Sequence, residues 1–323
     1  MPEQTCAVIL AGGEGKRMKS NHPKVLASVL FKPMLQWVMD AAEGAGVKEL
    51  CVVTGHKHEQ VEAYLQAAQK PGGANLHHVL QAEQRGTGHA VMMAEPFLRA
   101  HNGGNTLVLN GDAPFVSAEL DDPSGYGRIV RDPATGLVRA IVEQKDADEA
   151  TLAVREINSG AYWFRTDDLL SILGCIRNDN AQGEYYLTDA VRLLIEQNKN
   201  AGAYIASDPA AVMGANDCVQ LNSLNEIARE RVLHAQMLAG VEIPCTDGVL
   251  IGPDVTIGRS TRILPNTILR GNTAVGADCS IGPSVVLTDC TVGDGASLCF
   301  ASCEHTNISS SQAVAPFTVI GTP

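Results

Sequence analysis

The stretch Ile9–Met18, ILAGGEGKRM, combines features suited to binding a phosphate. An apolar run ends in closely spaced glycines, and the missing Cβ atoms let a phosphate approach successive backbone N–H groups. Arg17 lies within the stretch and Lys24 lies in the following NHPKVL, so two positive charges accompany the loop. Arg suits a polyanion through its planar fork and Lys through its compact charge. The spacing predicts a phosphate-binding loop at the end of a strand, Val8–Leu10.

Two common phosphate-loop patterns do not fit this stretch. A dinucleotide-binding loop requires a further glycine three residues after Gly15, where this chain has Met18. A Walker loop requires Ser or Thr directly after its lysine, where this chain has Arg17. A glycine-rich turn without a ligand is the remaining alternative, and the two cations disfavour it.

The elements around the loop predict a mostly parallel sheet covered by helices. From residue 5 to about residue 200, the β-rich runs CAVILAG, ELCVVTG, LHHVLQA and TLVLNGD alternate with helix-like segments, including 34–43 and 90–98. Ligands of such sheets bind beyond the carboxyl ends of the strands. Both Ala11–Arg17 and Asn110–Pro114 fall at such ends, so we expect them at one site.

A second periodicity begins at Val249. Apolar residues recur there at intervals of six, separated by Gly, Pro, Asn or Asp, a period that fits neither a helix nor an ordinary strand. The recurring residues are Ile251, Ile257, Ile263, Leu269, Val275, Ile281 and Leu287. The period predicts a short left-handed parallel β-helix, whose register slips near Asp289 and decays after Leu298; a β-sandwich is the less favoured alternative. We expect an α/β domain over 1–216, a connecting segment over 217–248 (a helix over 217–239, then a linker), and the solenoid over 249–323.

Composition narrows the classes of partner. The 323 residues carry a formal net charge of −12, from 24 Lys plus Arg and 36 Asp plus Glu, so nucleic acid is not expected as a partner. The N-terminal residues lack a positive region and no apolar run is long enough for a membrane span, which predicts a soluble, cytoplasmic protein without a membrane partner. Nine scattered cysteines predict reduced thiols. Cys299, Cys303 and His305 lack a second pair at ligand spacing, so no metal site is expected there.

Several short motifs follow one another along the chain. AGGEGKRM is followed by PKVL, and QAEQRGTGHA stands at 81–90. Further motifs are GDAP at 111–114, DDPSGYGRIVR at 121–131, VEQKDA at 142–147, EINSG at 156–160, QGEYYLTD at 182–189 and GAND at 214–217. The first pair is similar to the start of sugar-1-phosphate nucleotidyltransferases in general. With QAEQRGTGHA and the later motifs, their order resembles that of the N-acetylglucosamine-1-phosphate uridyltransferases, the N-terminal part of a bifunctional uridyltransferase and acetyltransferase family. With the hexapeptide solenoid, the resemblance covers nearly the whole chain.

The resemblance implies a Rossmann-like nucleotidyltransferase domain, a Mg²⁺ cofactor and two substrates, UTP and N-acetylglucosamine-1-phosphate. The reaction would be attack of a sugar-phosphate oxygen on the α-phosphorus of UTP, catalysed mainly by positioning and neutralisation of charge. The residues implied for uracil and ribose are Leu10, Ala11, Gly12, Gly13, Gln81, Gly86 and Thr87. Those implied for the triphosphate are Arg17 and Lys24, and those for Mg²⁺ are Asp112 and Asn216. Those implied for the sugar are Gly127, Glu143, Asn158 and Thr188.

Some residues near these motifs have no clear role in the sequence. Tyr126 fits the sugar site and aromatic packing equally well. His22, His56, His58 and His89 have no visible nucleophile or acid partner, so we interpret them as structural or solvated.

The chain departs from the family at two places. Only Phe115–Leu120 separate GDAP from DDPSGYG, whereas family members have a helix and a strand there. Either the domain lacks that segment or the segment is absent from the given sequence; the second is favoured, because loss of core elements is severely destabilising. After His234 the only histidine is His305, with no acetyltransferase motif around it, so we expect no acetyl transfer. The solenoid would then serve assembly, as a homotrimer.

Three alternatives remain open. A related nucleotidyltransferase would use another nucleotide or sugar, for example dTTP with glucose-1-phosphate, and QAEQRGTGHA favours uridine over it. A hexapeptide acyltransferase is disfavoured because the extended solenoid is missing. A non-catalytic sugar-nucleotide binder is disfavoured because it needs no charge aimed at a transition state, which Arg17, Lys24 and Asp112 supply.

Overall fold

The computed structural model describes residues 5–112, 118–119 (backbone only), 123–205 and 214–321. The chain divides into two compact units. The N-terminal unit comprises Met1–Ala27 and Pro33–Leu221, and the C-terminal unit comprises Ser28–Lys32 and Asn222–Pro323. The predicted domain boundaries differ from these and stay a proposal. Among the described residues no helix has the length and apolar character to cross a membrane.

A five-stranded sheet forms the centre of the N-terminal unit, in the order β11-β6-β1-β4-β5. β1, β4, β5 and β6 are parallel and β11 is antiparallel to β6. The strands are β1 (Thr5–Leu10), β4 (Glu49–Thr54), β5 (Asn75–Leu80), β6 (Asn105–Asn110) and β11 (Tyr162–Arg165). β1 and β4 are apolar on both faces, as expected of central parallel strands covered by helices. The predicted α/β architecture is confirmed.

Helices cover both faces of this sheet. They are α1 (Met34–Gly44), α2 (His58–Ala68), α3 (Thr87–Met93), α4 (Glu95–Ala100), α6 (Thr166–Leu173) and α7 (Thr188–Glu196). The short helix α5 (Glu149–Leu152) has no buried residue and is not part of this cover. Short 3₁₀ turns lie at Lys16–Met18, Lys24–Leu26 and Gln144–Asp146. The prediction of one helix over 90–98 is wrong, because Pro96 lacks the backbone N–H that a continuous helix needs, and the chain starts a new helix there.

A second, antiparallel sheet completes the N-terminal unit, in the order β7-β10-β8-β9. Its strands are β7 (Ala118–Glu119), β8 (Gly127–Arg131), β9 (Val138–Val142) and β10 (Glu156–Asn158). The turn after Asn158 leads from β10 directly into β11 of the central sheet. The short interval at 115–120 lies outside the described residues, apart from the backbone of Ala118–Glu119.

The C-terminal unit consists of a helix and a left-handed parallel β-helix, as predicted. The helix α8 runs over Cys218–Leu238, and its residues from Asn222 onward belong to this unit. Three parallel sheets follow, in the orders β12-β15-β18-β21-β24, β13-β16-β19-β22 and β14-β17-β20-β23. Their strands are β12 (Leu250–Ile251), β13 (Thr256–Ile257), β14 (Arg262–Ile263), β15 (Ile268–Arg270), β16 (Ala274–Val275), β17 (Ser280–Ile281), β18 (Val285–Thr288), β19 (Thr291–Val292), β20 (Ser297–Leu298), β21 (Ala301–Glu304), β22 (Asn307–Ile308), β23 (Ala313–Val314) and β24 (Val319–Ile320).

The six-residue apolar repeat forms the interior of this β-helix. Its residues are buried in one hydrophobic core, with Ile257 only partly buried against it. Residues 240–248, expected as a linker, contribute to the same core through Val241 and Ile243, and Glu242 forms a β-bridge with Arg262. The short hairpin of β2 (Ser28–Val29) and β3 (Lys32–Pro33) was not predicted; the backbone N–H of Leu30 donates to the side chain of Asn225.

Candidate active site

Two adjoining cavities lie at the carboxyl ends of β1 and β6. One, which we call the loop cavity, has a volume of about 460 Å³ and is lined by the glycine loop, Lys24 and the segment 81–90. The other, the inner cavity, has a volume of about 230 Å³ and is lined by β8, the end of β9 and the turn after β10. Leu10, Thr87, Asn110, Asp112 and Asn216 line both. The two cavities therefore form one continuous site, at the edge where α/β sheets bind ligands.

Close contacts shape the glycine loop at Gly12 and Gly15, whereas a Cβ on Gly13 would meet open space. A Cβ on Gly12 would lie 2.9 Å from Oε1 of Gln81. Gly15 has φ 63°, and a Cβ there would lie 2.7 Å from Cβ of Lys24. Arg17 follows on a 3₁₀ turn, exposed and lining the loop cavity. The described residues offer Arg17 no carboxylate partner, so its charge is available to an anion.

The segment 81–90 is held against the QGEYYLTD segment. Gln81 is buried, and its Nε2 donates to the carbonyl of Gly86 (3.1 Å) and lies 3.1 Å from Nδ1 of His89. The N–H of Gly88 donates to the carbonyl of Tyr185 (2.7 Å). A Cβ on Gly86, whose φ is 102°, would lie 2.6 Å from that same carbonyl. These contacts fix the wall of the loop cavity that faces the glycine loop.

One ammonium group joins the two predicted metal ligands. Nζ of Lys24 donates to Oδ1 of Asn216 at 2.8 Å and forms an ion pair with the carboxylate of Asp112. The Lys24 side chain is only 11% exposed, so these contacts lie largely away from solvent. Two residues 104 positions apart in sequence thus bring their oxygens to a single cation.

The inner cavity holds a partly buried carboxyl group whose ionisation is disfavoured by its surroundings. Burial raises the pKa of Glu143, and the charges of Asp146 and Asp189 raise it further. Thr188 is buried and its Oγ1 donates to Oε1 of Glu143 at 3.4 Å, which acts in the opposite direction. Burial also raises the pKa of Tyr126, and the charge of Asp112 adds to that effect. Both shifts show that the surroundings disfavour the negatively charged forms of Glu143 and Tyr126.

The turn after β10 closes the inner cavity. The backbone N–H of Gly160 donates to Oδ1 of Asn158 (3.1 Å), and Nδ2 of Asn110 donates to the carbonyl of Ser159 (3.3 Å). Gly160 has φ 80°, and a Cβ there would lie 2.1 Å from Nδ2 of Asn110. Nδ2 of Asn158 donates to the hydroxyl of Tyr162 (2.7 Å). Any larger residue at position 160 would adopt a strained positive φ and would displace the Asn110 side chain.

The structure brings the predicted site residues together, with two exceptions. Thirteen line the cavities: Leu10, Gly12, Gly13, Arg17, Lys24, Gln81, Gly86, Thr87, Asp112, Gly127, Glu143, Asn158 and Asn216. Ala11 lines neither cavity, and its N–H donates to the carbonyl of Val53, so that donor is already used. Thr188 reaches the inner cavity only through Glu143.

Sequence reasoning missed Tyr162, which lines the inner cavity. Asn110 lines both cavities, as its place at the end of a strand predicts, although the sequence assigned it no individual role. Tyr162 gave no signal, because its contact with Asn158 depends on how two sheets meet. His89, interpreted as structural or solvated, contacts Gln81, and His58 pairs with Glu62 at 3.1 Å.

Family models match both parts of the chain. Residues 7–122 match the MobA-like NTP transferase domain, and residues 254–289 match the bacterial transferase hexapeptide of six repeats. The Bifunctional protein GlmU of Caldanaerobacter subterraneus subsp. tengcongensis is 41% identical, over 98% of this chain and 72% of that protein. The Bifunctional protein GlmU of Thermoanaerobacter pseudethanolicus is 40% identical over the same shares. The chain belongs to the GlmU family.

Membership in the GlmU family makes the chain a sugar-1-phosphate uridylyltransferase of the UDP-N-acetylglucosamine pyrophosphorylase type. The alignment with the first relative runs over 340 positions, more than the 323 residues of this chain, so that relative has residues that this chain lacks. A solved structure of a UDP-glucose pyrophosphorylase complexed with UDP-glucose superposes with a TM-score of 0.58 at 17% identity, over 70% of this chain and 99% of that one. That likeness supports the fold alone.

Proposed function

We propose that this chain joins UTP and N-acetylglucosamine-1-phosphate to give UDP-N-acetylglucosamine and pyrophosphate, with Mg²⁺ held by Asp112 and Asn216. A phosphate oxygen of the sugar forms a bond to the α-phosphorus of UTP, and the bond from that phosphorus to the β-phosphate oxygen breaks. The observation that carries the proposal is the single ammonium shared by Asp112 and Asn216, where the loop cavity meets the inner cavity.

The two oxygens fit a divalent ion. They already share one cation, and Mg²⁺ needs only one or two protein oxygens when phosphates and water complete its shell. Among the described residues, no group of three or more His, Cys, Asp or Glu side chains is arranged to hold a metal, so a metal site made only of protein groups has no support there. Bound Mg²⁺ would neutralise phosphate charge and help align the reacting groups.

The loop cavity is the proposed site for the nucleotide. Leu10, Gly12, Gly13, Gln81, Gly86 and Thr87 line it and are proposed to bind uracil and ribose. Amide and backbone groups suit this task, since they read a base edge by paired hydrogen bonds. Arg17 and Lys24 stabilise the negative charge that develops on the leaving pyrophosphate. Lys24 must then leave at least one of its present partners, because its ammonium cannot remain between Asp112 and Asn216 when an ion enters.

The inner cavity is the proposed site for the sugar. Gly127, Glu143 and Asn158 line it, and the hydroxyl of Thr188 donates a hydrogen bond to Glu143. Such groups form hydrogen bonds with hydroxyl and acetamido groups, and a site built for them rejects analogues that lack them. The nearness of this cavity to Asp112 brings the sugar phosphate close to the α-phosphorus.

The remaining parts of the proposal concern the solenoid and the cellular setting. We propose a homotrimer through the β-helix, a cytoplasmic location, and no acetyl transfer by this chain, since His305 is exposed and flanked by Asp289 and Glu304 rather than placed in a cavity.

One assay tests the proposed activity. Purified protein is incubated with Mg²⁺, N-acetylglucosamine-1-phosphate and each nucleoside triphosphate in turn, and pyrophosphate release is measured. We expect release with UTP that disappears on chelation of the metal. Release with dTTP but not with UTP, or no release with any nucleotide, would refute the proposal. Acetyl-CoA with glucosamine-1-phosphate, followed by thiol release, tests for acetyl transfer.

A further inference from the structure

The carboxamide of Asn158 is fixed from both of its ends. The backbone N–H of Gly160 can only donate, so the atom it contacts at 3.1 Å must be the amide oxygen. The amide nitrogen therefore faces the hydroxyl of Tyr162, at 2.7 Å, and the phenol oxygen accepts that hydrogen bond. This contact decides which way round the amide is held.

Tyr162 is itself held firmly by the central sheet. It lies in β11, paired with Val108 of β6, and its ring stacks on Phe164 with 5.7 Å between the centroids. Asn158 is the last residue of β10, in the second sheet. The hydrogen bond therefore connects the second, antiparallel sheet to the central sheet, whose strand β1 leads into the glycine loop.

Two donor hydrogens remain at this pair. Asn158 has a second hydrogen on Nδ2, and Tyr162 has its hydroxyl hydrogen, because burial raises the pKa of the phenol and keeps it protonated. The described residues form no hydrogen bond that uses either hydrogen. Both side chains line the inner cavity together with Glu143. A ligand in the inner cavity can therefore accept a hydrogen bond from Nδ2 of Asn158, whose orientation is fixed.

We propose that Tyr162 is a positioning residue for sugar recognition, whose hydroxyl holds the Asn158 carboxamide so that its N–H group meets an acceptor oxygen of the bound sugar. The inference rests on the proposed function, since it takes the inner cavity as the sugar site. Tyr162 acts through Asn158 and not on the reacting phosphorus. Its loss should therefore affect sugar affinity and leave the chemical step and the nucleotide unaffected.

The test is Tyr162→Phe, which keeps the ring and removes the hydroxyl. We expect the KM for N-acetylglucosamine-1-phosphate to rise about five- to tenfold, the size of one hydrogen bond, with kcat and the KM for UTP within about twofold. Tyr64→Phe is the matched control, because its hydroxyl donates to Gln36 at 2.6 Å in the same unit and lines neither cavity. That control should change none of the three constants.

A double-mutant comparison separates positioning from a general structural role. Asn158→Ala alone should raise the sugar KM at least as far as Tyr162→Phe does, and Tyr162→Phe should add nothing in the Asn158→Ala background. A smaller effect of Asn158→Ala, additive effects, or equal changes in the KM values of both substrates would overturn the proposal. If Tyr162→Phe lowers the folded fraction, the sugar KM of Asn158→Ala alone still tests whether the Asn158 carboxamide binds the sugar.

The outcomes distinguish this inference from the function on which it rests. If the wild-type protein releases no pyrophosphate with UTP and N-acetylglucosamine-1-phosphate, the proposed function fails and the inference fails with it. If the wild type is active and Tyr162→Phe keeps the wild-type sugar KM, the inference alone is wrong.

Discussion

Removing the ammonium of Lys24 should strengthen metal binding while slowing the reaction. In the structure Lys24 contacts both Asp112 and Asn216, so a divalent ion must displace it before taking their oxygens. In Lys24→Met the side chain keeps its length and loses the charge. The oxygens of Asp112 and Asn216 are then no longer occupied by an ammonium group. We therefore expect Mn²⁺, used as a probe without nucleotide, to bind the variant more tightly than the wild type.

The size of the effect follows from the contacts that the ion must replace. Hydrogen bonds to charged groups contribute about 1.5–3 kcal/mol each, and Lys24 is only 11% exposed, so solvent recovers little of that energy. Releasing one such contact corresponds to roughly 10- to 100-fold in affinity, at about 1.4 kcal/mol per tenfold. Turnover should fall by about 10²- to 10³-fold, since a charge that stabilises the transition state is lost.

Direct titration of Mn²⁺, followed by the paramagnetic signal of the free ion, measures the affinity without any turnover. Lys16→Met is the charge-matched control, because Lys16 lies in the same loop, is 79% exposed and pairs with Glu14 at 3.1 Å. It should change Mn²⁺ affinity by no more than about twofold, as exposed pairs contribute little. Unchanged or weaker Mn²⁺ binding by Lys24→Met would refute the reasoning, and an equal gain in both variants would show that net charge alone is responsible.

Three further predictions concern stability, each measured by urea unfolding. Gly160→Ala should lose at least about 2 kcal/mol through strain and its steric clash, and more than Gly136→Ala, whose φ is also positive but whose Cβ would meet open space; equal losses would rule out the clash. Arg131→Met should lose about 3–5 kcal/mol, because it leaves the carboxylate of Glu156, now paired at 2.7 Å, buried alone. Glu143→Gln should be more stable than wild type at neutral pH, and the advantage should shrink toward pH 4.5.

The sign of the Glu143 effect follows from the raised pKa. Burial raises the folded-state pKa of this carboxyl above its ordinary value of 4.5, so folding favours the protonated form. Its favourable contribution is complete below the unfolded pKa and is lost as pH rises through the folded pKa. Glutamine stays neutral throughout and escapes that loss. A Glu143→Gln curve that runs parallel to the wild-type curve from acid to neutral pH would contradict this account.

The sequence predicted the site best where its residues follow strand ends. Strand ends are local features, and the carboxyl ends of parallel strands meet at one edge, so Leu10 and Asp112 were expected together and lie together. The six-residue repeat likewise predicts its own solenoid, because each coil buries the same side of the pattern. Pro96 is the residue in the sequence that indicates two helices, α3 and α4, instead of one continuous helix. Glu143 and Asn158 were placed by family resemblance, and nothing in their own spacing indicated a shared cavity.

The sequence does not show which side chains from distant elements contact and orient one another. Lys24 lies in a short turn after the glycine loop, and nothing local indicates that its ammonium lies between Asp112 and Asn216. The same holds for Tyr162, a strand residue whose alternation predicts only packing. In both cases the partner comes from a different element, and the contact exists because two sheets and a loop meet at one edge. The motifs identify the residues that we propose bind the substrates, whereas the contacts of Lys24 and Tyr162 set how the neighbouring site residues are oriented.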